Sequence, residues 1–436
     1  MKSLVRFTLV GLAIVPSLLA AQTPKPPIPT ARREDAAMNK WRENRFGLFI
    51  HWGVYSVPGG IWNGKRVGAA EWIQAQGKIS PIDYAKFPAD FTAKNFNAKN
   101  WAKAAKQMGA KYVVITTKHH DGFCLWDSKY TDWDLQKSPA PKDLLKQLAD
   151  AVRAEGMDFG VYYSILDWHH PDYRTNLKSD ADRKAFERYI VYMKSQLKEL
   201  VDTLGPIKVF WFDGRWEPSY KENPTYGADL EKYCRQICPG VVINDRIRAY
   251  DSYADYDSGY ERKLPENELP PVNWEACMTM PEGTWGYHSD PPGNGWKTPQ
   301  TLLNMLLKCA SKNGNFLLNI GPKPDGTIRK EEAERMKAVG EWMRFYGNAV
   351  YGTQGLVLKS TTKFYATRKK DSIYLTFFEW PETDRVTIEG LPSNIASAQL
   401  LDHGKGSGLK VEGNTIILPM TPPEKLANVV EIKLKQ

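Results

Sequence analysis

The chain has 436 residues, a formal net charge of +9, 42% hydrophobic and 25% charged residues. That length exceeds one small domain and suits a large domain plus an accessory one, with apolar material for a sizeable core. The positive excess is spread along the chain in short solvated runs such as Arg368-Lys369-Lys370, and no nucleic-acid-binding motif accompanies it, so it reads as a solubility property rather than a polyanion site.

The N-terminus has the layout of a secretory signal peptide. Lys2 and Arg6 precede the apolar run Phe7 to Leu19, small residues Ala20 and Ala21 follow, and a Pro-rich stretch runs over Gln22–Thr30. The run is too short for a stable membrane span, and no later segment is long and apolar enough for one. The expectation is an exported chain, periplasmic or extracellular, with a leader over residues 1–21 and a linker over 22–36. Removing the leader takes two positive charges and no acid. Five Cys (124, 234, 238, 277 and 309) leave at least one unpaired. Cys234 and Cys238 can share a helix face, but no second pair completes a zinc site.

From there short apolar runs alternate with stretches of helical period. Strands are expected at Phe46–His51, Tyr112–Thr117, Phe159–Ser164, Val209–Asp213, Val241–Asp245 and Phe316–Ile320. Between the third and fourth, Phe186, Tyr189, Ile190, Met193, Leu197, Leu200 and Val201 line one helix face. A second helix starts at Thr298-Pro299, a cap followed by Pro in the first turn, and buries Leu302, Leu303, Leu306 and Leu307. A third covers Arg329–Tyr346. Strands buried on both sides and joined by helices form a parallel sheet, and their repetition over about 300 residues favours a (β/α) barrel. Six strands rather than eight make it an irregular one.

After Gly355 the pattern changes to short strands: Lys363–Thr367, Ser372–Phe378, Arg385–Ile388, Ser397–Leu401, Thr415–Leu418 and Val429–Leu434. Turn signals at Gly390-Leu-Pro, Gly404–Gly408 and Gly413-Asn separate them. The fold class is therefore α/β, an irregular (β/α) barrel over 37–352 followed by a small antiparallel β-sandwich over 353–436.

In a (β/α) barrel the chemistry sits at the C-terminal strand ends. Those ends carry His51-Trp52, Lys118-His119-His120-Asp121, Tyr162-Tyr163-Ser164 with Asp167-Trp168 beyond, Trp211-Phe212-Asp213-Gly214 and Asn244-Asp245-Arg246. A later segment carries Trp274-Glu275. Carboxylates, imidazoles and flat aromatic faces suit a sugar, and two carboxylates across such a pocket suit glycoside hydrolysis. There is no Ser nucleophile elbow and no phosphate-binding Gly loop. Each residue also has a plainer reading. Asp213 can cap a helix, Glu275 can be a partnered structural carboxylate, and either His can be a satisfied core residue. Adjacent His residues on a strand point to opposite faces, which argues against a shared metal ion.

The blocks Phe46-Gly-Leu-Phe-Ile-His51-Trp-Gly, Lys118-His-His-Asp-Gly-Phe123, Tyr162-Tyr-Ser, Trp211-Phe-Asp213-Gly, Asn244-Asp-Arg246, Trp274-Glu275-Ala-Cys and Leu317-Leu-Asn-Ile-Gly-Pro322 occur in one order. Over Trp41 to Tyr351 the chain resembles the α-L-fucosidases of glycoside hydrolase family 29. The resemblance implies an exo-acting retaining enzyme without cofactor or metal, acting on a fucosylated oligosaccharide or glycoconjugate. It places the nucleophile at Asp213 and the acid/base at Glu275, with Glu282 and Glu266 as nearby alternatives. The fucose pocket it implies comprises His51, Glu71, Trp72, His119, His120, Tyr163, Trp211 and Arg246, with Trp285 as an aromatic wall. After Glu71-Trp72 this chain has Ile73-Gln74-Ala75 where many relatives carry further aromatics, on the side that borders the aglycone. Two alternatives stay open at this point: a fucose-binding, lectin-like protein on the same barrel, and a metal-dependent hydrolase using His51, His119 and His120.

Overall fold

The computed structural model describes residues 26–29, 33–266, 269–291, 293 and 295–435. The leader expected over 1–21 lies outside the described residues, as does part of the 22–36 stretch. Eight parallel strands make the larger sheet: β1 (Phe46–Ile50), β2 (Tyr112–Lys118), β3 (Asp158–Ser164), β4 (Val209–Asp213), β5 (Val242–Ile243), β6 (Asp257–Glu261), β7 (Trp274–Thr279) and β8 (Asn315–Ile320). Their order is β5-β4-β3-β2-β1-β8-β7-β6. The two edges meet where Asn244, just past β5, forms a parallel bridge with Tyr256, just before β6. The sheet thereby closes into a barrel.

A helix, α1 (Ala36–Asn44), precedes β1. Around the barrel lie α2 (Ala98–Met108), α3 (Leu144–Ala154), α4 (Asp180–Leu204), α5 (Pro224–Ile237), α6 (Pro299–Ser311) and α7 (Lys330–Tyr346). Local chemistry fixes their starts. Ser179 and Asp182 form a reciprocal capping box on α4, and the Thr298 hydroxyl accepts from the Thr301 amide on α6, ahead of Pro299. The expected apolar face of α4 is buried from Phe186 to Leu200, as are the four leucines of α6. Among the described residues no helix is long and apolar enough to cross a membrane.

Two strands were not expected from the sequence. β6 reads Asp-Ser-Gly-Tyr-Glu, too polar for a buried strand, and β7 follows it with no helix between among the described residues. β5 is two residues long because the Asn244 side chain takes over its pairing. The Asn244 Oδ1 accepts from the Phe212 amide, and Nδ2 donates to the Phe212 carbonyl and to the Ser258 hydroxyl. One side chain thus stitches β4 to β6 across the seam.

Inward-facing residues stack in layers. Phe49, Tyr162, Trp211, Cys277 and Leu317 form an apolar middle layer within one buried cluster. His51, Ser164, Asp213 and Asn319 lie above it, at the strand ends. Below it sits Glu275, beside Tyr112 and Asn315, near the start of its strand. This corrects the expected acid/base role: β7 begins at Trp274, so Glu275 faces the wrong end of the barrel. It is 1% exposed. Its Oε2 accepts from the Tyr112 hydroxyl at 2.5 Å and its Oε1 from Trp211 Nε1 at 3.0 Å. Gly47 makes room for this, since a Cβ there would meet the Tyr112 ring at 2.5 Å.

The C-terminal region holds a six-stranded sheet in the order Gln354–Gly355, Tyr365–Lys369, Ser372–Phe377, Asn428–Leu434, Ile395–Asp402, Lys405–Leu409, and a three-stranded sheet of Arg385–Thr387, Thr415–Ile417 and Val411–Glu412. Ile373, Leu375, Val386, Ile416, Val430 and Ile432 fill its own core. The turn expected at Gly404–Gly408 is shorter than that. His403 and Gly404, with φ of 46° and 79°, make a two-residue hairpin turn, and Lys405–Leu409 is an exposed edge strand.

Burial raises the Glu275 carboxyl from 4.5 to about 7. The folded state therefore holds this proton more tightly than the unfolded chain. The contribution is full below pH 4.5 and is lost as pH rises through about 7. Glu275→Gln does not titrate there, so its denaturation midpoint should fall less between pH 5 and 8, by the equivalent of about 3 kcal/mol. Burial raises Asp121 to about 7 as well, so part of the pH dependence remains in the variant. Identical pH–stability curves for the two proteins would refute the assignment.

Candidate active site

The barrel mouth opens into a pocket of about 620 Å³, within the range of small-ligand sites. Asp213 ends β4 at its floor, 9% exposed. A left-handed Gly214 follows (φ 87°), where a Cβ would strike the Leu166 backbone at 2.5 Å. Asp213 Oδ2 accepts from the Tyr162 hydroxyl at 3.1 Å, and Oδ1 accepts from Arg246 Nη1 at 2.8 Å. Burial, the largest single influence, raises this carboxyl, but the Arg246 charge and the hydrogen bonds from Arg246 and the Gly214 amide are among the influences that together hold Asp213 below the usual aspartate value.

Arg246 has a second partner. Its Nη2 donates to Glu261 Oε2 at 2.8 Å and to the Ser258 carbonyl at 3.2 Å, and its guanidinium lies 4.7 Å over the Trp211 ring. Glu261 is the last residue of β6 and lines the pocket, with its side chain 34% exposed. Two carboxylates thus face one cavity, separated by two hydrogen bonds and the width of one guanidinium. Sequence reasoning missed Glu261 because it missed β6. The available signal was a carboxylate closing a short Tyr-bearing segment soon after Asn244-Asp245-Arg246. Of the alternatives weighed, Glu282 pairs with Lys297 at 2.7 Å and Glu266 is exposed, and neither lines the pocket.

The remaining expected residues separate cleanly. His51, Glu71, Trp72, His119, His120, Trp211, Arg246 and Trp285 line the pocket. Tyr163 does not. Its hydroxyl donates to Gln196 Oε1 on α4 at 2.7 Å, and Lys118 Nζ lies 4.5 Å over its ring. Alternation along β3 sends Tyr163 outward to the helices and Tyr162 inward to Asp213. Trp216, Cys277 and Phe49 also line the cavity. Adjacent His119 and His120 both reach it because they lie past the end of β2, after a register shift near Thr116–Lys118, so strand alternation no longer governs them. The rest of that block is scaffold. Lys118 is buried against Asp167 at 2.8 Å, and Asp121 accepts from the Tyr84 hydroxyl at 2.7 Å.

Hydrogen bonds assign the imidazole tautomers. Asn319 Nδ2 donates to the Trp285 carbonyl, so its Oδ1 meets His51 Nδ1 at 2.7 Å, and that nitrogen carries the proton. The Ser164 hydroxyl donates to the Leu166 carbonyl, so it accepts from His120 Nδ1 at 2.6 Å. Burial lowers His51 to about 3 and His120 to about 4, so both are neutral near pH 7 and turn an Nε2 acceptor to the pocket. His120 Nε2 stands 3.8 Å from Asp213 Oδ2. His119 stacks on Tyr162 at 5.3 Å. Glu71 Oε2 accepts from the Trp285 and Gly286 amides, which clips the β1–β2 connection to the β7–α6 loop. Trp72 and Trp216 stack at 6.0 Å at the rim, while Ile73 is buried away from it.

Elsewhere, a groove of about 720 Å³ between α2 and α7 is lined by Lys106, Lys111, Met336 and Tyr351, and has no pair of facing carboxylates. Among the described residues, ligand-type atoms converge within 4.8 Å at Asp402, His403 and Glu424, on the sandwich rather than in the pocket. The five cysteines are buried free thiols.

The family model "Alpha-L-fucosidase" matches residues 17–348. The chain is 32% identical to the tissue alpha-L-fucosidase of Mus musculus over 405 residues, covering 88% of each chain. It superposes with a TM-score of 0.88 and 38% identity on an alpha-L-fucosidase of Bacteroides thetaiotaomicron, solved as a trapped covalent intermediate with 2-fluoro-fucosyl fluoride. That match covers 95% of this chain and 100% of the other. The alpha-fucosidase of Thermotoga maritima in complex with a mechanism-based inhibitor matches at 33% identity and a TM-score of 0.73, over 91% and 96% of the two chains. With two carboxylates on one arginine at the mouth of the same barrel, the chain belongs to the α-L-fucosidases of glycoside hydrolase family 29, which are retaining glycoside hydrolases.

Proposed function

We propose that this chain is an exo-acting α-L-fucosidase. It removes terminal α-linked L-fucose from oligosaccharides or glycoconjugates through a covalent fucosyl-enzyme intermediate, with Asp213 as nucleophile and Glu261 as acid/base. The observation that carries the reading is the Arg246 bridge between Asp213 and Glu261. A binding-only protein needs no second carboxylate there, and a retaining glycosidase needs two within about 5–5.5 Å.

In the first step an Asp213 oxygen bonds to the anomeric carbon while the glycosidic C–O bond breaks, and Glu261 gives its proton to the departing oxygen. In the second, Glu261 takes a proton from water, whose oxygen displaces Asp213 and releases fucose. Arg246 stabilises the Asp213 anion between turnovers. The neutral Nε2 atoms of His51 and His120 accept from sugar hydroxyls, and the apolar corner of Phe49, Trp211, Cys277 and Trp285 suits the C5 methyl. A blind floor of buried side chains fits cleavage at chain ends.

Asp213→Gly should lower turnover of an aryl α-L-fucoside by a factor on the order of 10³ or more, and azide should restore part of it as the β-fucosyl azide. Near-normal activity without azide would end the nucleophile assignment. For Glu261→Ala, fucosides with poor leaving groups should lose about 10²–10⁴-fold and activated aryl fucosides far less. Equal losses on both classes would move the acid/base elsewhere. The reading includes export, resting on the leader-like residues 1–21. N-terminal sequencing of secreted protein should begin near Gln22, and retention of the uncleaved chain in the cytoplasm would remove that part.

A further inference from the structure

Phe49, Trp211, Cys277 and Trp285 line the pocket with largely apolar side chains. A tryptophan in such a place brings a hydrogen-bond donor with it, and a buried indole N–H needs an acceptor. Here the N–H is turned out of the pocket. Trp211 Nε1 donates to Glu275 Oε1 at 3.0 Å, one layer below. The carboxylate is held from its other side by the Tyr112 hydroxyl, whose ring rests on Gly47. Tyr162 stacks on Trp211 at 5.5 Å, and the Arg246 guanidinium lies 4.7 Å over the same ring. The orientation of one indole therefore touches both the sugar-facing corner and the arginine that holds the two reacting carboxylates.

We propose that Glu275 is a positioning residue for specificity: by accepting the Trp211 N–H beneath the pocket, it keeps the corner apolar, so that the site selects a 6-deoxy sugar, with CH₃ rather than CH₂OH on C5. This rests on the reading that the pocket takes L-fucose. L-Galactose is the matched probe, since it is L-fucose with a hydroxyl on C6. Without the acceptor, the indole loses the partner that fixes its orientation, and a ligand hydroxyl in the pocket becomes one of the groups that it can turn to. The carboxyl itself stays out of the reaction, 1% exposed under the middle layer.

The test measures kcat and KM on the 4-nitrophenyl α-L-fucoside and α-L-galactoside. Glu275→Leu and Glu275→Ala both lack the acceptor, so failure of one to fold, checked by thermal melting, leaves the other. Glu275→Gln keeps an acceptor for the indole. An apolar pocket rejects an added hydroxyl by roughly a hundredfold. The acceptor-free variants should lose about tenfold or more of that kcat/KM ratio, chiefly through a higher KM for the fucoside. Glu275→Gln should stay within about threefold of the wild-type ratio. Wild-type ratios in the Leu and Ala variants would overturn the inference. So would a Glu275→Gln enzyme that loses kcat on both substrates at unchanged KM, which would put the carboxyl in the reaction. A wild-type enzyme inactive on the fucoside would sink the fucosidase reading itself. One that cleaves both sugars equally well would sink only this inference.

Discussion

The Arg246 guanidinium is the interaction on which the site depends. It is partly buried at the barrel mouth and bound to Asp213 on one side and Glu261 on the other. A charge removed from water is tolerated only when its donors are used, and removing one partner of such a group strands the others at a cost of about 3–5 kcal/mol. The arginine follows the Asn244-Asp245 pair that closes the barrel. Asn244 joins Phe212 to Ser258, and Asp245 Oδ1 accepts from the Ser258 amide and hydroxyl. Barrel closure and carboxylate alignment are therefore one constraint. If the seam between β4 and β6 shifted, the two carboxylates would part.

The interior is graded from polar floor to apolar middle to polar mouth. The floor satisfies polar groups out of reach of water, through Tyr112, Glu275 and Trp211. The middle layer shields them from the pocket. At the mouth His51 and His120 are neutral because burial penalises their cations, and each has one nitrogen pinned by a partner behind it, Asn319 or Ser164. Neutral imidazoles of fixed tautomer present acceptors without adding charge beside Asp213, so its electrostatics stay under the control of Arg246.

Much of this was legible in the sequence, for identifiable reasons. Val209-Phe-Trp-Phe-Asp213 is apolar on both faces, as a central parallel strand must be, and a terminal carboxylate then has to sit at the mouth. The α4 face and the α6 start followed from period and capping. β6 escaped because its partner strands and the Asn244 side chain, rather than its own residues, make it a strand. With β6 went Glu261, and the carboxylate of the Trp-Glu-Ala-Cys block took its place in the reading. Tyr162 and Tyr163 are both fully buried tyrosines, so composition cannot tell inward from outward, and only the register with Trp211 and Asp213 separates them. Strand alternation misjudged His119 and His120 because β2 ends one residue earlier.

Among the described residues, β6 is joined to β5 and to β7 without a packed α-helix, which gives the two carboxylates of the pocket different evolutionary freedom. Asp213 is surrounded by strands and helices whose lengths are fixed by packing. Glu261 is followed by exposed Arg262, Lys263 and Glu266, and among the described residues no helix separates it from β7. Lengthening such a connection costs little, about 0.6 kcal/mol for each doubling. The Glu261 side of the pocket can be remodelled by insertion while the Asp213 side is left untouched. A fold built this way can change one wall of its pocket by loop drift alone, with the opposite wall held constant.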